Sequence, residues 1–209
     1  MIKHKKRQSK PSTKSQGRQK TDATSAASAK GNIRIIAGKH RGRKLPVLMS
    51  DGLRPTTDRV KETVFNWLMP YIVDSECLDC FAGAGSLGFE ALSRGAKSVT
   101  LLELNKQAAQ QLSSNKTLLK AENVAIVNTD ALKYLAQNQQ SFSLVFIDPP
   151  FRQGLAEKAA NLLANNGLSE GALVYVEMEN DNNSQQMPAN WQLLKEKVAG
   201  QVVYRLYQT

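Results

Sequence analysis

Four consecutive residues, Asp148-Pro149-Pro150-Phe151, place a carboxylate, two prolines and an aromatic ring directly after a short apolar run. The lone pair of a base amino group is delocalised into the ring, which makes that nitrogen a poor nucleophile. Acceptors on Asp148 and the Pro149 carbonyl could each take one N–H and so turn the lone pair towards an electrophile. The prolines stiffen the loop and lack competing N–H groups, and Phe151 offers a face on which an extruded base can stack. The motif favours group transfer to an exocyclic amino nitrogen over a plain strand-terminating turn.

A glycine-rich stretch at residues 77–95 predicts where a cofactor binds. It has the pattern of a short apolar strand, a tight loop and a helix, the first half of a βαβ nucleotide-binding unit. Glycine is needed there because a side chain would hold the backbone away from the ligand, and because some positions need φ > 0. The spacing fits G-x-G-x-x-G, which serves NAD, FAD or S-adenosylmethionine equally well. The candidate cofactor residues of this stretch are Asp79, Phe81, Gly83, Gly85 and Gly88.

Two acidic residues further along the chain follow apolar runs and extend the candidate cofactor site. Glu103 could accept from both hydroxyls of a ribose, and Leu104 could cover one face of an adenine. Asp130 could accept from an adenine amino group, with the Ala131 N–H offered to the ring, or it could be a plain helix N-cap. Asp79, within the first strand, would lie beneath a bound amino-acid moiety, because a buried carboxylate needs a partner such as an ammonium group.

The basic charge is concentrated at the front of the chain. Residues 1–30 hold nine Lys or Arg and one acidic residue, residues 31–60 hold seven and two, and residues 61–209 hold twelve and fifteen. This asymmetry favours a polyanionic partner, because each Lys or Arg that neutralises a phosphate releases condensed counterions. A lone basic tail could equally be solubilising, but the second basic block favours nucleic acid. The candidate phosphate contacts are Arg34, Arg41, Arg43, Lys44 and Arg54.

Several classes of protein are disfavoured. No apolar run approaches the ~20 residues that cross a bilayer, and the first twenty residues resemble neither a secretory signal nor, with Lys outnumbering Arg, a transit peptide. Cys77 and Cys80 have C-x-x-C spacing, but residues three apart in a strand point to opposite faces. We therefore expect two small buried residues, no metal site, and a reducing, cytoplasmic compartment. The protein is further expected to be a monomer.

The chain divides into an arm and an ordered body. Residues 1–31 lack periodicity and are predicted to be a disordered basic arm. Residues 33–48 favour a β-hairpin with a basic tip, with Pro46 on an edge strand. Residues 57–69 favour a helix capped by Thr57 and closed by Pro70. Its predicted buried stripe is Val60, Thr63, Val64, Trp67 and Leu68.

The remainder alternates apolar and amphipathic runs, which predicts an α/β fold with a parallel sheet covered on both faces. Strands are predicted near 77–81, 98–103, 123–127, 142–147 and 172–177, and helices near 85–94, 105–120, 130–138 and 153–165. Residues 191–199 and 202–207 form a strand pair about Gly200-Gln201, which adds an antiparallel hairpin at the C-terminus.

The combination of Phe81-x-Gly83-x-Gly85 with Asp148-Pro149-Pro150-Phe151 resembles the S-adenosylmethionine (SAM)-dependent amino-methyltransferases. The segments at 34–38, 41–46 and 54–68 narrow this to the RsmD family, bacterial enzymes that methylate the N2 amino group of a guanine in 16S ribosomal RNA. The resemblance runs from about Asn32 to the C-terminus and implies one methyltransferase domain at 32–209. It further implies the Rossmann-like class I fold with a seven-stranded, mostly parallel sheet, SAM as cofactor, and a partly assembled small ribosomal subunit as substrate.

The acid of the motif agrees with a guanine substrate. The Watson–Crick edge of guanine offers N1–H and N2–H, and the Asp148 carboxylate can accept both, whereas an Asn amide would set a donor against N1–H. Three alternatives stay open at this point: an adenine-N6 or DNA methyltransferase, a nicotinamide-dependent oxidoreductase with the same glycine loop, and a non-catalytic RNA-binding assembly factor.

Overall fold

The structure, a computed structural model, describes Met1 and residues 30–48, 58–151, 153–180 and 186–209. The strands are β1 (Lys30–Arg34), β2 (Lys44–Leu48), β3 (Glu76–Asp79), β4 (Ser98–Glu103), β5 (Val124–Asn128), β6 (Phe142–Ile147), β7 (Leu168–Glu179), β8 (Gln192–Ala199) and β9 (Val202–Gln208). The helices are α1 (Asp58–Leu68), α2 (Ser86–Ser93), α3 (Lys106–Leu119), α4 (Ala131–Gln137) and α5 (Leu155–Asn165).

Seven strands form one sheet in the order β5-β4-β3-β6-β7-β9-β8. The first five are parallel because helices connect them, while β9 runs antiparallel to β7 and β8 antiparallel to β9. The predicted mostly parallel, seven-stranded sheet with a C-terminal antiparallel hairpin is therefore confirmed. The strand order reverses between β3 and β6, and such a switch point opens a crevice at the carboxyl ends of the strands.

Two apolar layers cover the sheet. One contains side chains of α1, α2, α3 and the β1–β2 hairpin, and the other contains those of α4 and α5. Cys77 belongs to the first layer and Cys80 to the second, so the two thiols point to opposite faces as their spacing predicts. Both cysteines are free and buried, and burial raises the pKa of Cys77 to about 12. They serve as small core residues.

Helix α1 ends two residues before Pro70, but its buried face differs from the predicted stripe. Lys61 is buried, while Val60, Thr63 and Trp67 are only half-buried. The Lys61 Nζ donates to the Arg34 carbonyl at 2.6 Å and lies 3.5 Å from Asp58 Oδ1, which turns the helix towards β1. The buried residues of α1 are Lys61, Val64, Phe65 and Leu68. Thr57, the predicted cap, lies outside the described residues.

The chain between β1 and β2 is fixed to α2 by a buried acid. Glu90 has no exposed surface, and its carboxylate accepts from the N–H groups of Ile36 at 2.8 Å and Ala37 at 3.0 Å. Arg94 Nε donates to the same carboxylate at 2.8 Å, and its guanidinium lies over the ring of Phe65. Because α2 starts at the glycine loop, the hairpin and the loop are attached to the same rigid helix.

The basic turn at residues 39–43 lies at the amino edge of the parallel strands. The Lys39 N–H donates to the carbonyl of Ser93, the last residue of α2, at 2.7 Å. Arg43 Nη2 donates to the carbonyl of Leu118, in the last turn of α3, at 2.9 Å. Both helices start at the carboxyl edge of the sheet and run back to the amino edge. The turn is therefore separated from the crevice by roughly the length of α3, about 20 Å.

Two predictions, the disordered arm and the absence of a membrane-spanning segment, can be compared with the structure only over its described residues. The predicted disordered arm at 1–31 stays a prediction for residues 2–29, which are outside the described ranges. Its last two residues were assigned wrongly, because Lys30 and Gly31 pair with Leu48 and Val47 and so belong to β1. Within those ranges, no helix has both the length and the apolar composition needed to cross a bilayer.

The buried carboxylate of Glu90 yields a stability prediction. In Glu90→Gln one of its oxygens becomes an NH2 group that faces backbone N–H donors, so we expect a loss of about 2–4 kcal/mol in the free energy of unfolding. Urea denaturation measures this loss. The matched control is Glu76→Gln, which breaks a partly exposed pair with Lys97 and should change stability by less than about 1 kcal/mol. Equal effects in the two variants would contradict the anchoring role of Glu90.

Candidate functional site

The candidate site lies at the carboxyl edge of the sheet, where β3 and β6 pair in parallel with Asp79 opposite Phe146. The Cys80 N–H donates to the Phe146 carbonyl at 3.0 Å, so the pairing continues to the last residues of both strands. Neighbouring strands are about 4.8 Å apart. The glycine loop and the segment at 148–151 therefore leave adjacent strands at the same edge, on either side of the switch point.

The glycines of the loop are required for two different reasons. Gly85 has φ +77°, and a Cβ there would approach the side chains of Leu112 and Phe89 to 2.7 Å. Gly88 lies within α2 at ordinary helical φ, but a Cβ there would lie 2.2 Å from Leu101 Cδ2. Conformation thus explains the first position and close packing of helix on sheet explains the second.

The start of α2 has a buried hydroxyl group that could donate to an anion. Gly85 precedes the helix and provides no side-chain cap. The Ser86 hydroxyl is buried and has no hydrogen-bond partner among the described residues. A helix N-terminus favours a negative charge, so a carboxylate such as that of a bound amino acid fits this corner. The sequence analysis did not single out Ser86, although a serine directly after a glycine loop is a usable signal.

Asp79 is buried beneath the loop. Its Oδ2 accepts from the Gly88 N–H at 3.1 Å. Burial raises the pKa of Asp79 to about 7, against the opposing effect of backbone hydrogen bonds from Gly88 and Phe81. The charge of Glu103 raises it further. A bound ammonium group would stabilise the carboxylate, so the position fits the predicted methionine contact, which stays a prediction.

Glu103 joins the two loops that follow β3 and β4. Its Oε2 accepts from the Gly83 N–H at 2.8 Å, and its Oε1 accepts from the Asn105 N–H at 2.7 Å. Each carboxylate oxygen keeps a second lone pair, so acceptance from ribose hydroxyls remains compatible with these bonds. Leu104, the predicted adenine cover, is 71 % exposed beside it.

Asp130 is the N-cap of α4. Its Oδ1 accepts from the Lys133 N–H at 2.9 Å, which is the structural alternative that the sequence allowed. The neighbouring Ala131 is buried as the first residue of the helix. Asp130 nevertheless lies at the carboxyl edge, after the strand that pairs with β4. Its predicted contact with an adenine stays a prediction.

The four residues of the segment at 148–151 differ in their solvent exposure. Asp148 is half-buried, Pro149 is buried and Pro150 is exposed. Phe151 is 42 % exposed, which is unusual for a large aromatic side chain and suits a stacking surface.

Beside this segment lies a pair of residues that the sequence analysis missed. Tyr175, buried on β7, donates from its hydroxyl to Glu177 Oε2 at 2.9 Å. Burial raises the pKa of Tyr175, and the charges of Glu177 and Asp148 raise it further. The available signal was an acid within the otherwise apolar run of β7.

The predicted phosphate contacts are divided by the fold. Arg41 and Lys44 are exposed near the amino edge, where Arg43 is bonded to Leu118. Arg34 is exposed and pairs with Asp58 at 3.0 Å, at the start of α1. Arg54 lies outside the described residues. Any RNA contacts of the basic turn would therefore be remote from the crevice.

The sheet carries a nucleotide-binding loop and an amino-group motif on adjacent strands, and it ends in an antiparallel hairpin. Together these features define the class of protein. It is a class I SAM-dependent methyltransferase.

The comparisons with known proteins specify the family. The family model described as "Conserved hypothetical protein 95" matches residues 33–208. The chain is 59 % identical over 182 residues to "Ribosomal RNA small subunit methyltransferase D" of Escherichia coli, covering 87 % of this chain and 92 % of that protein. It is 61 % identical over 185 residues to the Haemophilus influenzae protein of the same name, covering 86 % and 95 %. The chain belongs to the RsmD family.

A solved structure agrees. The Escherichia coli protein yhhF, which its description names only provisionally as a methyltransferase, superimposes with a TM-score of 0.80 at 59 % identity. The match covers 85 % of this chain and 98 % of that one.

The raised pKa of Asp79 yields two predictions of opposite sign for Asp79→Asn, higher thermal stability and weaker cofactor binding. Below pH ~4 Asp79 is protonated in both states, and between pH ~4 and ~7 the folded state alone keeps the proton. The protonated Asp79 carboxyl therefore contributes to the free energy of unfolding at low pH, and this contribution is lost as pH rises through the window. Above pH ~7 the buried carboxylate destabilises the fold. We expect Asp79→Asn to melt at a higher temperature than the wild type at pH 8, with a smaller difference at pH 5.

The same substitution should weaken cofactor binding about ten- to hundredfold at pH 8, because it removes the charge that faces the ammonium group. Wild-type affinity should rise from pH 6 to pH 8, and that of Asp79→Asn should not. Calorimetry with SAM and thermal melts measure both effects, with Asp74→Asn at the opposite edge as control. Unchanged affinity in Asp79→Asn would contradict the assignment.

Proposed function

We propose that the chain transfers a methyl group to the N2 amino group of a guanine in 16S ribosomal RNA, within a partly assembled small ribosomal subunit. The observation that carries this proposal is the pairing of β3 with β6, which brings the glycine loop next to the segment at 148–151. The names of the relatives, ribosomal RNA small subunit methyltransferases, support the substrate class.

The cofactor is SAM, which when bound supplies a methyl group activated on a sulfonium. Asp79, Phe81 and the glycine loop would hold its methionine part, where the unpaired Ser86 hydroxyl at the start of α2 suits the carboxylate. Glu103 would hold the ribose. The adenine contacts would come from Leu104, Asp130 and Ala131.

The acceptor nitrogen would be held by the 148–151 segment. Asp148 and the Pro149 carbonyl each accept one N–H of the exocyclic amino group, which localises its lone pair and aims it at the methyl group. Pro150 keeps the loop stiff, and Phe151 stacks on the base. The nitrogen carries one proton too many after the transfer, and the Asp148 carboxylate would accept it.

The RNA would extend well beyond the target base. Arg41, Arg43 and Lys44 would contact phosphates at the amino edge of the sheet, about 20 Å from the crevice. Arg34, which pairs with Asp58 at the start of α1, would contact the backbone nearer to the site. Arg54 and the predicted basic arm would add further phosphate contacts. We propose that the protein acts as a monomer in the cytoplasm, where small subunits are assembled.

The substrate assignment is tested in a strain that lacks this gene. Mass-spectrometric mapping of its small-subunit RNA should show one missing N2-methylguanine, which the wild-type gene restores. The variant Asp148→Ala should fail to restore it, with a loss of about two to three orders of magnitude in rate, while RNA binding stays within about twofold. A missing N6-methyladenine would instead favour an adenine enzyme, and full activity of Asp148→Ala would refute the role of that residue.

The remote position of the basic turn yields a separate prediction. In Lys39→Glu/Arg41→Glu we expect about tenfold weaker binding to 16S RNA, because two cations are replaced by acids at a phosphate-binding surface. The plot of log K against log salt should become shallower by about 1.5. SAM affinity should not change.

The matched control is Lys133→Glu/Lys158→Glu, which makes the same change in net charge on the exposed surface of α4 and α5, across the sheet. Equal loss of binding in the two double variants would mean that only net charge matters, and the proposed contact of the turn would be rejected.

A further inference from the structure

The Watson–Crick edge of guanine has three hydrogen-bond donors, whereas only two acceptor groups, Asp148 and the Pro149 carbonyl, have been assigned so far. It presents N1–H and the two N–H groups of N2, three donors in all. When Asp148 and the Pro149 carbonyl hold the two hydrogens of N2, N1–H is left either to the second oxygen of Asp148 or to an acceptor of its own. A donor left without a partner in a closed pocket costs about 1–3 kcal/mol. A second acidic group beside Asp148 would give N1–H its own acceptor and leave the Asp148 carboxylate to the amino group.

Glu177 lies where such a group is needed. Strands β6 and β7 pair in parallel with Ile147 opposite Val176, and the next residues on the two strands are Asp148 and Glu177. Neighbouring strands are about 4.8 Å apart. The two acids therefore leave adjacent strands at the carboxyl edge of the sheet.

Both acids also belong to the same face. The ring of Phe146 packs edge-on against Tyr175, with centroids 6.2 Å apart. Side chains two residues apart in a strand share a face, which places Glu177 with Tyr175 and directs Asp148 to the side of Phe146. The charge of Asp148 is one of the causes that raise the pKa of Tyr175, in agreement with this arrangement.

The Glu177 carboxylate is held by one oxygen. The Tyr175 hydroxyl donates to its Oε2 at 2.9 Å and is the only hydrogen-bond donor to Glu177 among the described residues. Glu177 itself is half-buried at the carboxyl end of β7. A buried phenol thus orients the carboxylate through one of its two oxygens. Burial raises the pKa of Glu177, and the Tyr175 bond favours its charged form.

We propose that Glu177, oriented by Tyr175, selects guanine by accepting the N1–H of the target base while Asp148 and the Pro149 carbonyl hold N2. This proposal rests on the proposed function. Adenine presents a lone pair at N1, which a carboxylate at this position repels. Glu177 is thereby a specificity-determining residue, and Tyr175 is a positioning residue that acts through it.

The test uses 2-aminopurine, which keeps the 2-amino group of guanine but has a lone pair in place of N1–H and a C6–H in place of the 6-oxo group. The contribution of N1–H is therefore taken from the change in preference between the wild type and Glu177→Gln. The analogue is inserted at the mapped target position of an RNA or particle that the wild-type enzyme methylates. We expect the wild type to use the 2-aminopurine substrate about 30- to 100-fold less well than guanine in kcat/KM.

In Glu177→Gln we expect kcat/KM for guanine to fall by about 30- to 100-fold, and the preference over 2-aminopurine to vanish or invert. The reason is that the glutamine amide can donate to the N1 lone pair. The matched control is Glu170→Gln, on the same strand but at the opposite end, which should keep the wild-type preference. Tyr175→Phe should lower the rate with guanine and weaken the preference only in part.

The outcomes separate the two proposals. If Glu177→Gln keeps the wild-type preference for guanine, Glu177 does not read N1–H and the inference is overturned, while the proposed function stands. If the wild type modifies no guanine N2 in ribosomal RNA, the proposed function fails first. The melting temperature and SAM affinity of each variant show whether a lower rate results from loss of folding. A Glu177→Gln protein that melts like the wild type and keeps its base preference would contradict the assignment of Glu177.

Discussion

The parallel pairing of β3 with β6 is the constraint on which the rest of this structure depends. It sets the end of the strand that carries Asp79 beside the end of the strand that leads into Asp148, with hydrogen bonds that continue to the Cys80 N–H. A slip of one residue in a strand would turn each side chain to the opposite face of the sheet. The cofactor loop and the acceptor loop are consequently held in register by backbone bonds, not by the flexible residues that make the contacts.

The same edge concentrates groups that lower stability without a ligand. Asp79 is a buried carboxyl with a raised pKa, the Ser86 hydroxyl is buried without a partner, and Glu177 is a half-buried acid whose pKa is raised. Such features are common where a site is prepared for charge that arrives with its ligand. The apolar layers on both faces and the Glu90 anchor stabilise the framework that holds them.

Local patterns predicted most of the framework. The alternation of apolar and amphipathic runs, the glycine spacing and the Asp-Pro-Pro-Phe segment are contiguous signals, so the order of strands and helices followed from the chain itself. The missed features are long-range. Lys61 and Glu90 can be buried because each has a hydrogen-bond partner, but these partners lie 27 and about 54 residues away in the chain. No short window of sequence contains both members of either pair, so local patterns could not predict the burial. The position of the basic turn depends on the ends of α2 and α3, and Glu177 gains meaning only once β7 lies beside β6.

The most direct test of the central claim is a crystal structure of the chain with S-adenosylhomocysteine and an RNA fragment that contains the mapped guanine. The account predicts that N2 of the extruded base lies within about 3 Å of an Asp148 oxygen and of the Pro149 carbonyl, with Phe151 against the ring and the cofactor sulfur on the line of attack. A base bound on the far side of the sheet, or with its amino group directed away from both oxygens, would contradict it.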